Sequence, residues 1–317
     1  MVQCERRRFL QIMGLVGLGL STPAFSWAVP PRTGSKVQTV SQTLPMMNTV
    51  VTITVCDTSR ELAQEAQQDA FARARHLIPV FDRFNSNSQV SHLNTTGSLK
   101  DVPPELNSVL ASCSELHRRS RGAFDITILP LLQATKHAVR RTGNPPSPQE
   151  LKELRTLIGF EHMTQDSSTL RLSRSGMGIT LDGIAKGFIV DQAAATLLSH
   201  GVDSALINAG GDIRVIGSKA KGPWQIGVQD PTGNKPSLMT LGLENKAIAT
   251  SGSNENFFDP MARHHHLLNP AAGGSPQRPF PRTRVRWSRT RRRRPRPRRR
   301  RSVRRPIQGG ERGRSRR

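Results

Sequence analysis

The sequence predicts an α+β fold, and three observations predict it. The run Thr49-Val50-Val51-Thr52-Ile53-Thr54-Val55 is β-branched almost throughout and reads as a strand. Three later stretches carry apolar residues at helical spacing. The short strands around them are joined by hairpin-like turns, which argues for mixed helices and strands rather than a regular parallel sheet.

In chain order, the first strand is followed by a helix over about Leu62–Arg83, with Phe71, Ala74, Leu77, Ile78 and Phe81 on one stripe. A second helix runs from Pro104 to Arg119, placing Leu106, Val109, Leu110, Cys113 and Leu116 together. Leu170-x-Leu172 and Ile179-x-Leu181 bracket a glycine-containing, hairpin-like stretch. A third helix covers about Ala185–His200, and Gly201 supplies a left-handed stop. Ala205-Leu206-Ile207, Trp224-x-Ile226-x-Val228 and Ala247-Ile248-Ala249 follow as short strands. No internal repeat is present.

The 317 residues suffice for a sizeable core, and the net charge of +24 would by itself suggest a polyanionic partner. That charge is local. From Ser275 to Arg317 there are twenty arginines, no lysine and one acid, Glu311, so the segment carries +19 and the rest of the chain +5. Cys56 and Cys113 have no metal-ligand spacing; they could pair in an oxidising compartment, but free thiols are the plainer reading. At the N-terminus Arg6-Arg7-Arg8, a short apolar stretch and Ser26-Trp27-Ala28 read as an export signal over 1–28, with Arg-Arg-x-Phe-Leu resembling the twin-arginine kind. Its apolar stretch is shorter than the ~20 residues of a spanning helix, and Cys4 precedes it, which disfavours a lipid anchor. The mature chain is expected outside the cytoplasm, in the periplasm, away from any physiological nucleic acid.

Seven short motifs sit at the joints of these elements. In order they are Met47-Asn48-Thr49, Phe84-x-x-x-Ser88-x-x-Ser91-x-Leu93-Asn94, Gly122-Ala123-Phe124-Asp125-Ile126-Thr127-x-x-Pro130-Leu131, Leu181-Asp182-Gly183-Ile184-Ala185-Lys186-Gly187-Phe188-x-x-Asp191, Asn208-Ala209-Gly210-Gly211-Asp212, Ala249-Thr250-Ser251-Gly252 and His266-Leu267-Leu268-Asn269-Pro270-x-x-Gly273. Gly183 and Gly187 flank a helix start, where free N–H groups favour a phosphate, and Lys186 adds a cation there. Gly210-Gly211 lets backbone approach a ligand closely. Phe84 and Phe124 offer flat area for a ring to stack on. Each has a plainer reading: a tight turn for the glycines, core for the phenylalanines, a satisfied turn for Asp125, a helix cap for Asp182, a solvated helix residue for Lys186. The His264-His265-His266 triplet reads better as a loop than as a metal site, and His265 is expected to face solvent.

The order and spacing of these motifs, from about Met47 to Gly273, resembles the FAD:protein FMN transferase (ApbE-type) family. The resemblance implies an ApbE-like, T-fold-type domain over 29–274 that binds FAD. It implies FAD contacts from Met47, Phe84, Ala123, Phe124, Asp125, Thr180, Lys186 and Leu267, with the carbonyl of Gly183 on Mg2+. Phe84 stands where many members have Tyr, and Thr180 where many have Asp. The implied reaction moves FMN from FAD to a threonine hydroxyl of a flavin-acceptor protein in a membrane-associated redox system, releasing AMP. Of the histidines and the site residues, Lys186 and Asp125 are expected to matter most to FAD.

After Gly273 the pattern stops. The family's late Asp-Ala-x-x-Thr metal motif is absent, no Asp follows Asp259, and the five large apolar residues Phe280, Val285, Trp287, Val303 and Ile307 show no periodicity. The domain is therefore expected to be incomplete at its C-terminus, exposing apolar surface, with 275–317 a disordered Arg/Pro-rich tail. A nucleic-acid-binding tail, a solvated cationic extension and a shifted reading frame all fit. The last is favoured, because GCC and GAC codons read one base out become Arg and Pro codons while Lys codons do not arise. Transfer is then impaired, and the alternative is an FAD-binding protein without transferase activity.

Overall fold

The computed structural model describes residues 36–166, 168–228, 230, 237–251, 256–261, 263–276 and 282–286. The export-signal reading of 1–28 and most of the Arg/Pro-rich segment lie outside these residues. Strands β1 (Gln38–Met46) and β2 (Thr49–Asp57) form an antiparallel hairpin closed by Met47 and Asn48, both at positive φ (54° and 56°). Such a two-residue turn matches the twist of the strands it joins. Along β2, Val51, Ile53 and Val55 are buried, while Thr52 and Thr54 meet Thr43 and Ser41 across the strand pair, hydroxyl to hydroxyl at 2.8 Å each.

Helix α1 (Arg60–Phe81) starts on Ser59, whose hydroxyl accepts from Leu62 N–H, and buries Ala63, Ala66, Ala70, Phe71, Ala74 and Leu77. Then follow α2 (Gln89–Thr96), β3 (Ser98–Leu99), α3 (Pro104–Ser120), α4 (Leu129–Thr142), α5 (Pro148–Arg155), β4 (Met163–Gln165), β5 (Leu170–Leu172) and α6 (Ala185–Ser199). The remainder is β6 (Ala205–Ala209), β7 (Asp212–Ile216), β8 (Trp224–Val228), β9 (Met239–Leu243), β10 (Ala247–Ser251) and β11 (Arg282–Arg286). The main sheet has the order β1-β2-β6-β7-β10-β11, antiparallel at each pairing. Helices α1 and α6 pack together over one face, against Val51, Ile53, Val55, Ala205, Ile207 and Ala209. On the other face Val215 and Ile248 form a smaller core with Trp224, Ile226, Val228 and Leu243 of the β8–β9 hairpin. Period-two burial along β2 and β6 thus places one core above the sheet and one below.

Two expectations change. Ile179 and Leu181 are buried but lie in irregular chain, whereas Leu170–Leu172 pairs with β3 and β4. The stretch 179–181 is instead held by side chain, as described below. The second difference is β11: its five residues pair with β10 in the segment where the composition shows no strand period. Pairing at a sheet edge engages backbone N–H and C=O groups, which every residue but proline offers, so it asks little of side-chain pattern. Among the described residues no helix is long and apolar enough to cross a membrane. Cys56 and Cys113 are free; burial, with Asp125 nearby, pushes the Cys113 thiol up to about 12.

Candidate functional site

The antiparallel pairing of β2 with β6 sets the β1–β2 turn beside the β6–β7 turn, at one end of the sheet. Gly210 and Gly211 make that second turn, both at positive φ (56° and 93°), and Gly211 N–H donates to Asn208 Oδ1 at 3.0 Å. A Cβ on Gly210 would run into Thr49 Oγ1, so the two turns touch through a glycine, and any side chain there would have to push Thr49 aside. Asp212 leaves the turn as the first residue of β7, and its carboxylate lies 3.3 Å from Lys186 Nζ.

Lys186 stands in the first turn of α6. No side chain caps that helix at Ile184; Ala185 N–H donates to Leu181 O (2.8 Å), which leaves the Lys186 and Gly187 N–H groups to an anion, where the helix dipole and the Lys186 charge add. Burial pushes the Asp212 carboxyl above its ordinary range, and Lys186 offsets part of that rise. The loop before α6 holds Thr180, Asp182 and Gly183. Thr180 is buried; its hydroxyl accepts from Asp182 N–H at 3.3 Å and its N–H donates to Ile126 O at 2.8 Å. Gly183 sits against Phe124, with Phe124 Cε2 3.5 Å from where a Cβ would be.

Asn94 fixes the approach to this loop. Its amide donates to Ile179 O (2.9 Å) and accepts from Ile179 N–H (2.7 Å), standing in for a strand partner. Ser88 caps α2 by accepting from Ser91 N–H. Two residues of the second motif therefore serve the scaffold. Asp125 does as well: Oδ1 accepts from Thr127 N–H (2.9 Å) and hydroxyl (2.6 Å), and Oδ2 lies 3.3 Å from His117 Nδ1. The satisfied-turn reading describes what this carboxylate does.

Beyond the loop, Arg83 donates from Nε and from an Nη to Asp182 (3.0 and 2.8 Å), and its guanidinium lies 4.0 Å from the centre of the Phe84 ring. Phe84 is 64 % exposed, an unusual place for a phenylalanine. Phe84 (through Arg83), Phe124 and Thr180 are thus linked to Asp182 and Gly183 of the loop before α6, and Lys186 to Asp212 after the β6–β7 turn, with Ala123 exposed beside Phe124; Met47 stands in the neighbouring β1–β2 turn. Leu267 is half-buried on a separate support, the loop 263–276, which α5 holds through Arg155 Nη2 donating to Ala272 O (2.8 Å). In that loop His265 is buried rather than solvent-facing. Its Nδ1 accepts from Leu267 N–H, and its backbone exchanges hydrogen bonds with the Ser275 hydroxyl (3.0 and 2.9 Å).

The donor set tests which groups fit here. A nucleotide phosphate fits the α6 start, Lys186 and the Gly210-Gly211 turn. A magnesium ion, which prefers carboxylate and other oxygens in octahedral array, does not find a complete site. Gly183 could present one carbonyl, but Asp182 is engaged by Arg83, Asp212 by Lys186 and Asp125 by Thr127. Among the described residues no three His, Cys, Asp or Glu side chains cluster, and Glu311 is the only acid after Asp259. Arg83 and the Lys186–Asp212 pairing were not legible as site features in the sequence; the only signal was an arginine directly before an aromatic motif residue.

The family model described as "ApbE family" matches residues 47–284. Curated relatives named FAD:protein FMN transferase include those of Treponema pallidum (35 % identical over 229 residues), Haemophilus influenzae (31 % over 200) and Vibrio cholerae (30 % over 225). The alignments take in 66, 60 and 65 % of this chain, and 63, 56 and 67 % of those proteins. The chain therefore spans roughly three-fifths of the length of the curated relatives it matches. Among solved structures, the ApbE protein of Thermotoga maritima superposes with a TM-score of 0.66 at 29 % identity, covering 75 % of this chain and 78 % of that one. The apo flavinyl transferase ApbE of Pseudomonas stutzeri gives 0.65 at 26 %, covering 76 and 77 %. The mixed fold, the ordered motifs and these matches agree: this chain belongs to the ApbE family.

Proposed function

We propose that this chain binds FAD at the sheet end, with the pyrophosphate on Lys186 and the start of α6, and that it is a weak or silent catalyst of FMN transfer. The reaction in question is attack by a threonine hydroxyl of an acceptor protein on the FMN-side phosphorus. A new P–O bond forms, the bridging P–O bond breaks, and AMP leaves. The relatives' name supports flavin transfer; the threonine target, the Mg2+ requirement and AMP as leaving group are part of this proposal. So are FAD contacts from Met47, Phe84, Ala123, Phe124, Asp125, Thr180 and Leu267, a metal contact from the Gly183 carbonyl, an exported periplasmic location, and an acceptor in a membrane-associated redox system.

Lys186 on the uncapped start of α6 is the observation that carries the binding half. It supplies a fixed positive charge where the phosphates would lie, and Gly210-Gly211 leaves room beside it. A metal, when bound in such a site, neutralises charge building on the pyrophosphate. The incomplete oxygen set described above is why transfer is proposed to be impaired.

Two measurements test this. Titration with FAD should show saturable binding, weakened by about 10- to 100-fold in Lys186→Ala, the loss expected for one charged hydrogen bond. Incubation with FAD, magnesium and a threonine-bearing acceptor peptide, read by in-gel flavin fluorescence, should give faint labelling or none. Labelling as strong as that of a full-length relative would overturn the impairment, and absence of FAD binding would overturn the whole reading.

A further inference from the structure

We propose that Arg83 is a positioning residue: clasped to Asp182 and stacked on one face of Phe84, it holds that ring as a plate whose free face receives a planar heteroaromatic ring of the bound dinucleotide. The inference rests on the reading that this site takes FAD, and adds a role for a residue outside every motif described above.

Three observations support it. Phe84 is 64 % exposed although it is a large apolar ring, so packing into a core does not explain its place. Its orientation is fixed nonetheless: Phe84 N–H donates to Asp82 Oδ1 at 3.0 Å, and the Arg83 guanidinium lies over the ring at 4.0 Å. The guanidinium is itself immobilised by two bonds to one oxygen of Asp182, and the Arg83 side chain is only 13 % exposed. A guanidinium can do both jobs at once because its flat face stacks while its edge donates; an ammonium group cannot. Asp182 lies in the loop that opens α6, four residues before Lys186. The clasp thus ties the ring plate after α1 to the phosphate end of α6, setting the distance between a ring contact and a phosphate contact.

A double-mutant cycle tests this on the full chain, reading dissociation constants for FAD and for inorganic pyrophosphate. Arg83→Gln should weaken FAD about tenfold and leave pyrophosphate within about twofold. Phe84→Ala should weaken FAD by a similar factor. Adding Arg83→Gln to Phe84→Ala should cost no more than about another twofold, because the arginine acts through the ring. Arg83→Lys should not rescue, and Asp182→Asn should weaken FAD in the same direction by a smaller factor. Titrations with FMN and with ADP identify the stacked ring: only the ligand carrying it should lose affinity in Arg83→Gln. An equal loss of pyrophosphate, or an undiminished Arg83 effect without Phe84, would overturn the proposal while leaving FAD binding intact. If the unaltered chain fails to bind FAD, the site reading and this inference fall together.

Discussion

At the scale of single residues, Asp212 is the group whose environment is most at odds with its charge. Burial holds its carboxyl above the ordinary aspartate range despite Lys186 at 3.3 Å. The folded chain therefore holds a proton on Asp212 at pH values where the unfolded chain has released it. By linkage, the stability this group confers is complete below its unfolded value and is lost as pH rises through the raised folded value. The Asp212→Asn variant should lack that decline. Thermal melts from about pH 4 to pH 7 should show the wild-type chain losing stability relative to the variant over the lower part of the range. Parallel melting curves across the range would remove the claim that Asp212 carries a desolvation cost. The sequence singled out Asp212 only as the end of a glycine motif. Its partner lies 26 positions earlier on another element, and no local pattern reveals such a pairing. His265 shows the same limit: a triplet of histidines looks exposed on the page, yet its own loop folds back so that Leu267 and Ser275 hold the buried ring and backbone.

At the scale of elements, long periodic patterns were legible and short irregular ones were not. The helix read over Leu62–Arg83 is observed at Arg60–Phe81, and the one read from Ala185 ends at Ser199, with Gly201 left-handed behind it. Strand β1 escaped because its Gln-Thr-Val-Ser-Gln-Thr face is polar and most of it is exposed. Helix α5 escaped because it buries no residue outright; it is begun instead by a capping box between Ser147 and Glu150. The irregular 178–181 stretch looked like a strand since its apolar residues alternate, but Asn94 satisfies the Ile179 peptide groups and Ile126 O accepts from Thr180 N–H, in place of a neighbouring strand. This has a measurable consequence. Asn94→Ala removes both a donor and an acceptor from the buried Ile179 peptide groups, and is expected to cost about 2–3 kcal/mol. Asn94→Asp keeps the acceptor but sets a carboxylate oxygen against Ile179 O, and should cost at least as much near neutral pH. Denaturant unfolding of the two variants checks this, and an Asn94→Asp variant of near wild-type stability would show that the amide donor is idle.

At the scale of the whole molecule, the chain has two kinds of sequence. The body carries +5, supplies five strands of the main sheet and builds two cores on either side of it; 275–317 carries +19 with twenty arginines and no lysine, and adds the sixth strand. The family match runs to residue 284, into the second kind, and β11 pairs there with β10 at the sheet edge. The residues of β11 are not those of a buried, apolar-alternating strand. Selection for a polyanion-binding segment would draw on lysine and arginine alike, since both neutralise phosphates. Exclusive arginine, interspersed with proline, is instead what alanine and aspartate codons of a G+C-rich gene yield when read one base out. The expectation is that an alternative frame from about Ala272–Pro276 encodes an apolar strand, then Asp-Ala-x-x-Thr, then an amphipathic helix and a final short strand. Reading the gene in all frames checks this directly. A chain rebuilt in that frame should melt higher, because its last strand would bury apolar side chains, and should label an acceptor peptide that the present chain labels poorly. The present chain, by contrast, should bind any nucleic acid without sequence preference, its affinity falling steeply between about 50 and 200 mM salt. If neither alternative frame contains Asp-Ala-x-x-Thr, the arginines are the gene's own product, and β11 with the segment beyond it becomes a selected, positively charged addition to the sheet edge.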